Sequence, residues 1–261
     1  MGPMDITPLM WSIALLLLAA LGVPLVRAFT VTREDCEGPV GTFINPFLLA
    51  VYLIALAMGL VIGWDHYQQA GADASDEAST VIDVYWGTQA YSPEDAERVR
   101  SAARDYVAAV TEQDWARMRR EGELSPEGAT AMTGLRAAVE EAAVGDGMSE
   151  ADRIAALEKT STLMHQRMMR ADSAGESVPL GLTVTTALAG LAVVVLPLAM
   201  GVRGSRTRIL WGGVTALTVL VSVAVLLTLD NPYRGLLEAG SDPFDEAVAE
   251  FDRIDELPPP A

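Results

Sequence analysis

The stretch Pro46–Trp64, PFLLAVYLIALAMGLVIGW, decides the fold of this chain. It contains 19 residues, none of which is Asp, Glu, Lys, Arg or His. Because a helix rises about 1.5 Å per residue, the stretch spans roughly 28 Å, enough to cross the hydrocarbon core of a bilayer. No helix breaker follows it, and the chain continues directly into polar residues from Asp65 onward. The stretch therefore predicts a membrane-spanning helix that extends beyond the membrane into a soluble region.

Three further apolar blocks of the 261-residue chain are long enough to span a bilayer: Pro8–Val26, Pro179–Met200 and Ile209–Leu229. The first block could also be the core of a cleaved signal peptide. The segment before it, MGPMDIT, has no Lys or Arg, and no clear small-residue cleavage site follows. We therefore interpret it as a retained span and predict four transmembrane helices.

The blocks divide the chain into four regions. Residues 1–64 and 179–229 are predicted to form two transmembrane hairpins, residues 65–178 an acidic helical domain, and residues 230–261 an acidic tail with a short amphipathic helix. Apolar residues in 65–178 recur at helical spacing, and no segment alternates as a strand does. The spacing predicts that the helix of the second span continues to about Gly87. It also predicts an apolar face with Val110, Trp115 and Met118 after Pro93, and an apolar stripe with Ile154, Leu157, Met164 and Met168 after Ser149. Helix-start signals stand at Ser92-Pro93, Ser125-Pro126, Ser149-Glu150 and, in the tail, Ser241-Asp242. The expected fold is an all-α integral membrane protein with a helical bundle outside the membrane.

Charge is distributed unevenly along the chain, whose net charge is −17. Residues 65–178 contain 22 acidic and 11 basic side chains, and residues 230–261 contain 9 acidic and 2 basic ones. There is no basic face that could contact phosphates, which argues against nucleic-acid binding. The connections 27–45 and 201–208 contain two and three arginines, whereas residues 1–7 and the first 30 residues after the second span contain none. The positive-inside rule therefore places the acidic domain and both termini outside the cell membrane.

The sequence contains little that resembles a catalytic site. His66 and His165 lie in different predicted helices, and no metal-binding or nucleophile motif surrounds them. His66 beside Asp65 could bind a metal or sense pH, although an interfacial helix residue is the simpler interpretation. Paired acids such as Asp76-Glu77 and Glu140-Glu141 are typical of a solvated face. We expect no enzyme activity and no cofactor.

The predicted spans carry small and hydroxyl-bearing residues in place of charged ones. Gly59 and Gly63 form a small-xxx-small pair, which favours close helix packing, although glycine is also common in membrane helices. The hydroxyls could bond back to their own helix, bridge helices or line a narrow pore. The candidate pore or packing residues are Gly59, Gly63, Thr183, Thr186, Thr215, Thr218 and Ser222.

Two predicted spans joined by a short Arg-containing loop precede an acidic helical domain, two more spans and an Asn-Pro-Tyr-Arg-Gly motif. The residues that mark this arrangement are Trp64, Tyr67, Tyr106, Trp115, Asn231, Pro232, Arg234 and Gly235. In this order the features resemble the bestrophin-like domain family, a group of mostly bacterial four-span membrane proteins. This chain has Asp114 before the tryptophan, where family members usually have Glu.

The resemblance implies a homo-oligomeric passive ion channel in the lipid bilayer, because the related bestrophins are pentameric anion channels with a calcium clasp after the last span. By that analogy Asp242, Asp245 and Glu246 are candidate calcium ligands. The alternative hypothesis is a non-conducting membrane anchor. In that case the acidic helical domain binds a protein partner or senses the cell envelope.

Overall fold

The computed structural model describes residues 39–144, 149–199, 206–234 and 238–257. Every regular element in these ranges is helical, as predicted. A turn of 3₁₀ helix covers Thr88–Ala90, and a π-helical segment covers Val110–Asp114. The α-helices are α1 (Pro39–Gly87), α2 (Pro93–Ala109), α3 (Trp115–Glu121), α4 (Pro126–Val144), α5 (Glu150–Gly175), α6 (Leu180–Ala199), α7 (Arg206–Thr228) and α8 (Asp242–Asp255).

Two helical segments are long and apolar enough to cross a membrane, Pro46–Ala90 and Glu150–Val195, and a shorter apolar helix covers Gly212–Thr228. The predicted second, third and fourth spans fall within or close to the bounds of α1, α6 and α7. The first predicted span, Pro8–Val26, lies outside the described residues. The four-span arrangement therefore stays a prediction.

Helix α1 begins earlier than the sequence indicated. Residues 39–45 were predicted to belong to the connection between the first two spans, but they are already helical. From Pro39 the helix continues for 49 residues to Gly87, the end point that the periodicity predicted.

The structure divides into two compact units, each described by itself. One, here called the apolar unit, contains the described residues up to Trp64 and Ser177–Asp230. In it α6 packs against α7, and its core contains Tyr52, Ala189 and Val219. Large apolar side chains such as Ile54 and Leu217 remain exposed on its surface. Exposed aliphatic side chains at this density suit a hydrocarbon solvent rather than water.

The second unit, here called the charged unit, contains Asp65–Glu176 and the described residues from Asn231 onward. Three of its helices start as the sequence predicted. The Ser92 and Ser149 hydroxyls each accept a bond of 3.2 Å from the backbone N–H three residues later, and the Ser125 hydroxyl accepts one of 2.9 Å. The tail helix α8 also forms, but the side chain of Ser241 makes no capping hydrogen bond.

The buried face of α5 differs from the predicted one. The sequence indicated an apolar stripe that includes Ile154, Leu157 and Met168, yet these side chains are 56%, 40% and 60% exposed. Met164 on the same stripe is partly buried. The buried face instead carries Thr160, Leu163, Arg167, Arg170, Ser173 and Ala174. Helix α5 therefore turns two arginines inward, for a reason that the next subsection gives.

Gly59 and Gly63 lie where α1 meets the end of α7. A Cβ atom on Gly59 would stand 2.6 Å from Cδ1 of Leu226, at the flexible end of that side chain. A Cβ atom on Gly63 would stand 2.7 Å from Cβ and 3.2 Å from the backbone oxygen of Leu229. Because backbone atoms cannot move aside cheaply, Gly63 is the more constrained position.

We predict that Gly63→Ala lowers the free energy of unfolding of the detergent-solubilised protein by about 1–3 kcal/mol, the usual effect of overpacking. Gly59→Ala is expected to cost less because Leu226 can change rotamer. Gly71→Ala is the matched control on the same helix, since nothing lies within 4 Å of its added Cβ. It should stabilise by about 0.5–1 kcal/mol. Thermal unfolding followed by circular dichroism measures all three, and equal values for Gly63→Ala and Gly71→Ala would contradict the packing assignment.

Candidate functional site

Four ionised side chains meet in the interior of the charged unit: Glu77 on α1, Asp114 at the end of the π-helical segment, and Arg167 and Arg170 on α5. Glu77, Asp114 and Arg170 are 0% exposed, and Arg167 is 7% exposed. We call these four residues the ionic cluster. Its two carboxylates balance its two guanidinium groups, which is the condition under which buried charge is tolerated.

Arg170 and Glu77 form a two-pronged pair. Arg170 Nε donates to Glu77 Oε2 at 2.7 Å, and Arg170 Nη2 donates to Glu77 Oε1 at 2.9 Å. The Tyr106 hydroxyl donates a third, short hydrogen bond to Glu77 Oε1. Burial and the negative charge of Glu77 raise the pKa of Tyr106, so its phenol stays protonated and keeps donating.

Asp114 links the second arginine to the first. Its Oδ2 accepts from Arg167 Nη1 and, at 2.9 Å, from Arg170 Nη2. Its Oδ1 accepts from the backbone N–H and the hydroxyl of Ser125, at 2.8 and 2.6 Å. Burial alone would raise the pKa of Asp114, but the hydrogen bonds and charges of the two arginines outweigh burial and lower it. Asp114 is therefore held as a carboxylate.

The π-helical segment brings Asp114 into the cluster. Within it, the N–H of Trp115 bonds to the carbonyl of Val110, five residues earlier, which inserts one residue into the helical repeat. As a result Val110, Asp114 and Trp115 are all buried, followed one turn later by Met118. The sequence indicated the apolar members of this face but not the insertion.

Gly128 packs directly against the ionic cluster. A Cβ atom there would stand 2.6 Å from Asp114 Oδ1 and 2.7 Å from Arg167 Nη2. Any side chain at this position would displace one of the two charged partners. Helix α4 can therefore approach the ion pair only because residue 128 is glycine.

Aromatic rings close the other side of the cluster. The guanidinium carbon of Arg170 lies 5.1 Å from the ring centre of Trp115 and 5.8 Å from that of Phe244, within the range of a cation–π contact. The indole N–H of Trp115 donates to the carbonyl of Ala239 at 3.0 Å. The tail helix α8 is thereby fixed over the cluster.

The Asn-Pro-Tyr-Arg part of the tail motif caps a helix end. Arg234 donates from Nε to the carbonyl of Arg119 at 2.6 Å and from Nη2 to that of Arg120 at 2.8 Å. These carbonyls belong to the last turn of α3, which ends at Gly122 in the left-handed conformation (φ 72°). Cationic groups at a helix C-terminus stabilise its unpaired carbonyls. Gly235 lies outside the described residues.

The hydroxyl candidates of the spans bond to their own helices. Thr186 donates to Leu182 O at 2.9 Å, Thr218 to Val214 O at 2.9 Å, and Ser222 to Thr218 O at 2.7 Å. Thr186 is fully buried, whereas Thr218 is exposed and Ser222 is half-buried. Thr183 lines a crevice of about 250 Å³ in the apolar unit, and Thr215 lies one turn before Thr218 on α7.

The predicted metal candidates lie at the start of α8. Asp242 and Asp245 lie in its first turn, and both they and Glu246 are exposed. In the part of the chain that the structure describes, no three His, Cys, Asp or Glu side chains lie together in a way that could hold a metal ion. His66 Nε2 lies 3.5 Å from Glu176 Oε2, while His165 is on α5.

Sequence reasoning missed most of the ionic cluster. Asp76-Glu77 was expected on a solvated face; Asp76 is exposed as predicted, but Glu77 is fully buried, which corrects that interpretation. A signal was present, because Glu77 continues the spacing of the buried Ala70 and Ala74. Residues 160, 163, 167, 170 and 174 likewise follow helical spacing along α5. An acidic residue on the buried stripe of one helix and basic residues on that of another, such as Glu77 on α1 and Arg167 and Arg170 on α5, indicate a buried ion pair.

In the described residues the fold is all-helical, with long apolar helices in one unit and a second unit that is organised around buried charge. A model of the bestrophin-like domain matches residues 13–244, which is most of the chain. The chain therefore belongs to the bestrophin-like domain family, as its sequence resemblance implied. No curated protein and no solved structure matches it significantly.

We predict that Gly128→Ala lowers the free energy of unfolding by about 2–4 kcal/mol, because it forces apart a buried ion pair. Gly134→Ala is the matched control on the same helix, since its added Cβ meets nothing within 4 Å. The control should stabilise slightly, by about 0.5–1 kcal/mol. Denaturant unfolding in detergent measures both variants. A Gly128→Ala protein as stable as Gly134→Ala would show that α4 does not depend on this close approach.

Asp114→Asn should destabilise the protein by about 3–5 kcal/mol at pH 7, because it leaves two buried arginines with one carboxylate. The pKa of Asp114 in the folded state lies below its ordinary value of 3.8. The stability that its charge contributes is therefore complete above that value and is lost as the pH falls through the folded-state pKa. The difference between wild type and Asp114→Asn should be constant from pH 7 to about 5 and shrink below about 4.

Asp105→Asn serves as the control for this pH series, because Asp105 is an exposed acid on α2. It should change the free energy of unfolding by less than about 0.5 kcal/mol at any pH. A pH dependence of Asp114→Asn equal to that of Asp105→Asn would contradict the lowered pKa of Asp114.

Proposed function

We propose that this chain is a subunit of an oligomeric passive channel for small ions. The observation that carries the proposal is the hydrogen bonding of the hydroxyls on α7. Thr218 and Ser222 donate their hydrogens to carbonyls of their own helix, so each oxygen offers only lone pairs to its surroundings. The helix around them, from Ile209 to Thr228, contains no Asp, Glu, Lys, Arg or His.

The position of these oxygens on α7 favours an assembly of several chains. Val219, Val223 and Leu226 are buried, whereas Thr218 is exposed. An acceptor oxygen gains nothing from lipid, but it stabilises an ion or a water molecule in a narrow pore. We propose that copies of the chain form a closed ring in which the hydroxyl face of α7 lines the axis.

The same oxygens favour cations over anions. The lone pairs of these oxygens can replace part of the hydration shell of a cation. An anion instead needs hydrogen-bond donors, and these hydroxyls already donate their hydrogens to helix carbonyls. The two segments that form the charged unit, residues 65–176 and 231–261, contain 30 acidic and 13 basic side chains. The positive-inside rule predicts that this unit lies on the outer side of the cell membrane, where its negative field would concentrate cations.

We predict that the purified protein reconstituted in liposomes conducts K⁺ in preference to Cl⁻. Thr218→Val and Ser222→Ala each remove one acceptor oxygen, so unitary conductance should fall by about two- to tenfold. Planar-bilayer recordings under a KCl gradient give both the conductance and, from the reversal potential, the selectivity.

Thr186→Val is the matched control, because its hydroxyl is fully buried and bonded to Leu182 O. It should leave conductance unchanged. Native mass spectrometry of the detergent-solubilised protein should give the mass of an oligomer of four or more subunits, as a closed ring requires. A monomer, or an absence of flux at every potential, would rule out the channel.

A second candidate function is a non-conducting membrane anchor whose acidic bundle binds a protein partner. The observation that favours it is the rigid ionic cluster. Its buried charges compensate one another, so most of the acidic excess of the charged unit is left at the surface. Absence of flux from a correctly folded protein, together with salt-sensitive capture of a basic protein by the full chain, would support this function over the channel.

A further inference from the structure

A cleft of about 240 Å³ opens in the charged unit where α1 ends and α5 begins. Two aromatic side chains, Trp86 and Tyr91, line it together with the carboxylates of Asp83 and Asp152 and the ammonium of Lys159. We call it the aromatic cleft. It is separate from the ionic cluster and from the hydroxyl face of α7.

The charges of the aromatic cleft do not cancel. Lys159 Nζ lies 3.4 Å from Asp83 Oδ2, so these two charges compensate each other. Asp152 instead accepts one hydrogen bond, of 2.5 Å, from the hydroxyl of Ser149. A hydroxyl satisfies a lone pair but does not neutralise a carboxylate. The cleft therefore has a net charge of about −1 and room for one more cation.

The end of α1 adds to this preference. The unpaired carbonyls in the last turn of a helix carry partial negative charge, which stabilises nearby cations. Lys159 lies near this end of α1, with its Nζ 3.5 Å from the backbone oxygen of Asp83, one turn before Gly87.

The aromatic residues determine what kind of cation fits. Trp86 is 39% exposed although it is a large apolar side chain at the cleft. Burial, and secondly the charge of Asp152, raise the pKa of Tyr91, which shows that the negative field of Asp152 reaches the phenol. Indole and phenol rings attract cations that have low hydration energy, such as guanidinium and methylated ammonium, more than they attract Na⁺.

We infer that the aromatic cleft binds a small organic cation, a guanidinium or quaternary ammonium group on a short apolar stem, between Trp86 and Asp152. The apolar stem would contact the side chains of Val84, Ala155 and Ala156, which also line the cleft. The cation would compensate the charge of Asp152, since Lys159 is paired with Asp83. This inference does not depend on conduction.

The test is isothermal titration calorimetry of the full chain in nanodiscs of zwitterionic lipid. The probes are tetramethylammonium, N-acetyl-arginine-methylamide and NaCl at equal ionic strength. Saturable binding of either organic cation, with none detected for Na⁺, is expected. Tighter binding of tetramethylammonium points to a small quaternary ammonium compound as the natural ligand, and tighter binding of the arginine amide points to an arginine side chain of a polypeptide. Absence of saturable binding by both organic cations would overturn the inference.

Variants distinguish the cleft from general attraction to an acidic protein. Trp86→Leu and Asp152→Asn should each weaken binding by about three- to fivefold, whereas Trp86→Tyr should restore most of the affinity. Lys159→Met removes the competing ammonium and should tighten binding by about threefold, a gain that unfolding cannot imitate. Asp105→Asn removes an exposed acid elsewhere and should have no effect. Equal weakening by Asp105→Asn and Asp152→Asn, or weaker binding by Lys159→Met, would contradict the assignment.

Discussion

The two-pronged contact between Arg170 and Glu77 is the interaction on which the charged unit depends. Both side chains are fully buried, and Arg170 also donates to Asp114, which in turn holds Arg167 and Ser125. In a medium of low dielectric constant, the loss of one partner leaves a charge without compensation. The contact therefore makes the packing of α1 and α5, and of the π-helical segment between α2 and α3, mutually dependent.

A buried ion pair of this kind supplies specificity more than net stability, since apolar residues of the same volume often stabilise a core equally well. The helices around it need that specificity. The buried face of α1 carries alanines at positions 70, 74 and 78, and α2 adds Ala103. Alanine faces are smooth and allow several packing registers. A bidentate arginine–carboxylate contact allows only one, because both pairs of atoms must meet at once.

The two units satisfy their polar groups in opposite ways. In the charged unit, the four members of the ionic cluster are buried as compensating pairs, and some apolar side chains such as Ile154 and Met168 are exposed. In the apolar unit, the hydroxyls of Thr186, Thr218 and Ser222 bond within their own helices, and aliphatic side chains cover the surface. The second pattern is required wherever water is absent, because an unsatisfied polar group in hydrocarbon costs several kcal/mol. The uncharged apolar helices and the charged bundle thus satisfy their buried polar groups by different means: bonds within one helix in the first, and ion pairs between helices in the second.

Much of the fold could be predicted from sequence because its signals are local. The apolar run Pro46–Trp64 and the start signals at Ser92, Ser125 and Ser149 each act within a few residues. The extent of α1 before Pro46 was predicted wrongly, since turn-forming residues such as Gly41 are acceptable inside a long helix. The π-helical segment at Val110–Asp114 had no sequence signal, because a single inserted residue leaves the composition of the helix unchanged.

By itself, the sequence determined that the chain is helical, that three of the described helices carry long apolar runs, and where several helices begin. The tertiary structure decided which face of α5 is buried and that Glu77 lies inside. The physical reason is distance along the chain. Arg170 meets Glu77 across 93 positions and Asp114 across 56. A charged residue is assigned to the surface unless its neutralising partner is known, and only the folded chain brings those partners within hydrogen-bond distance.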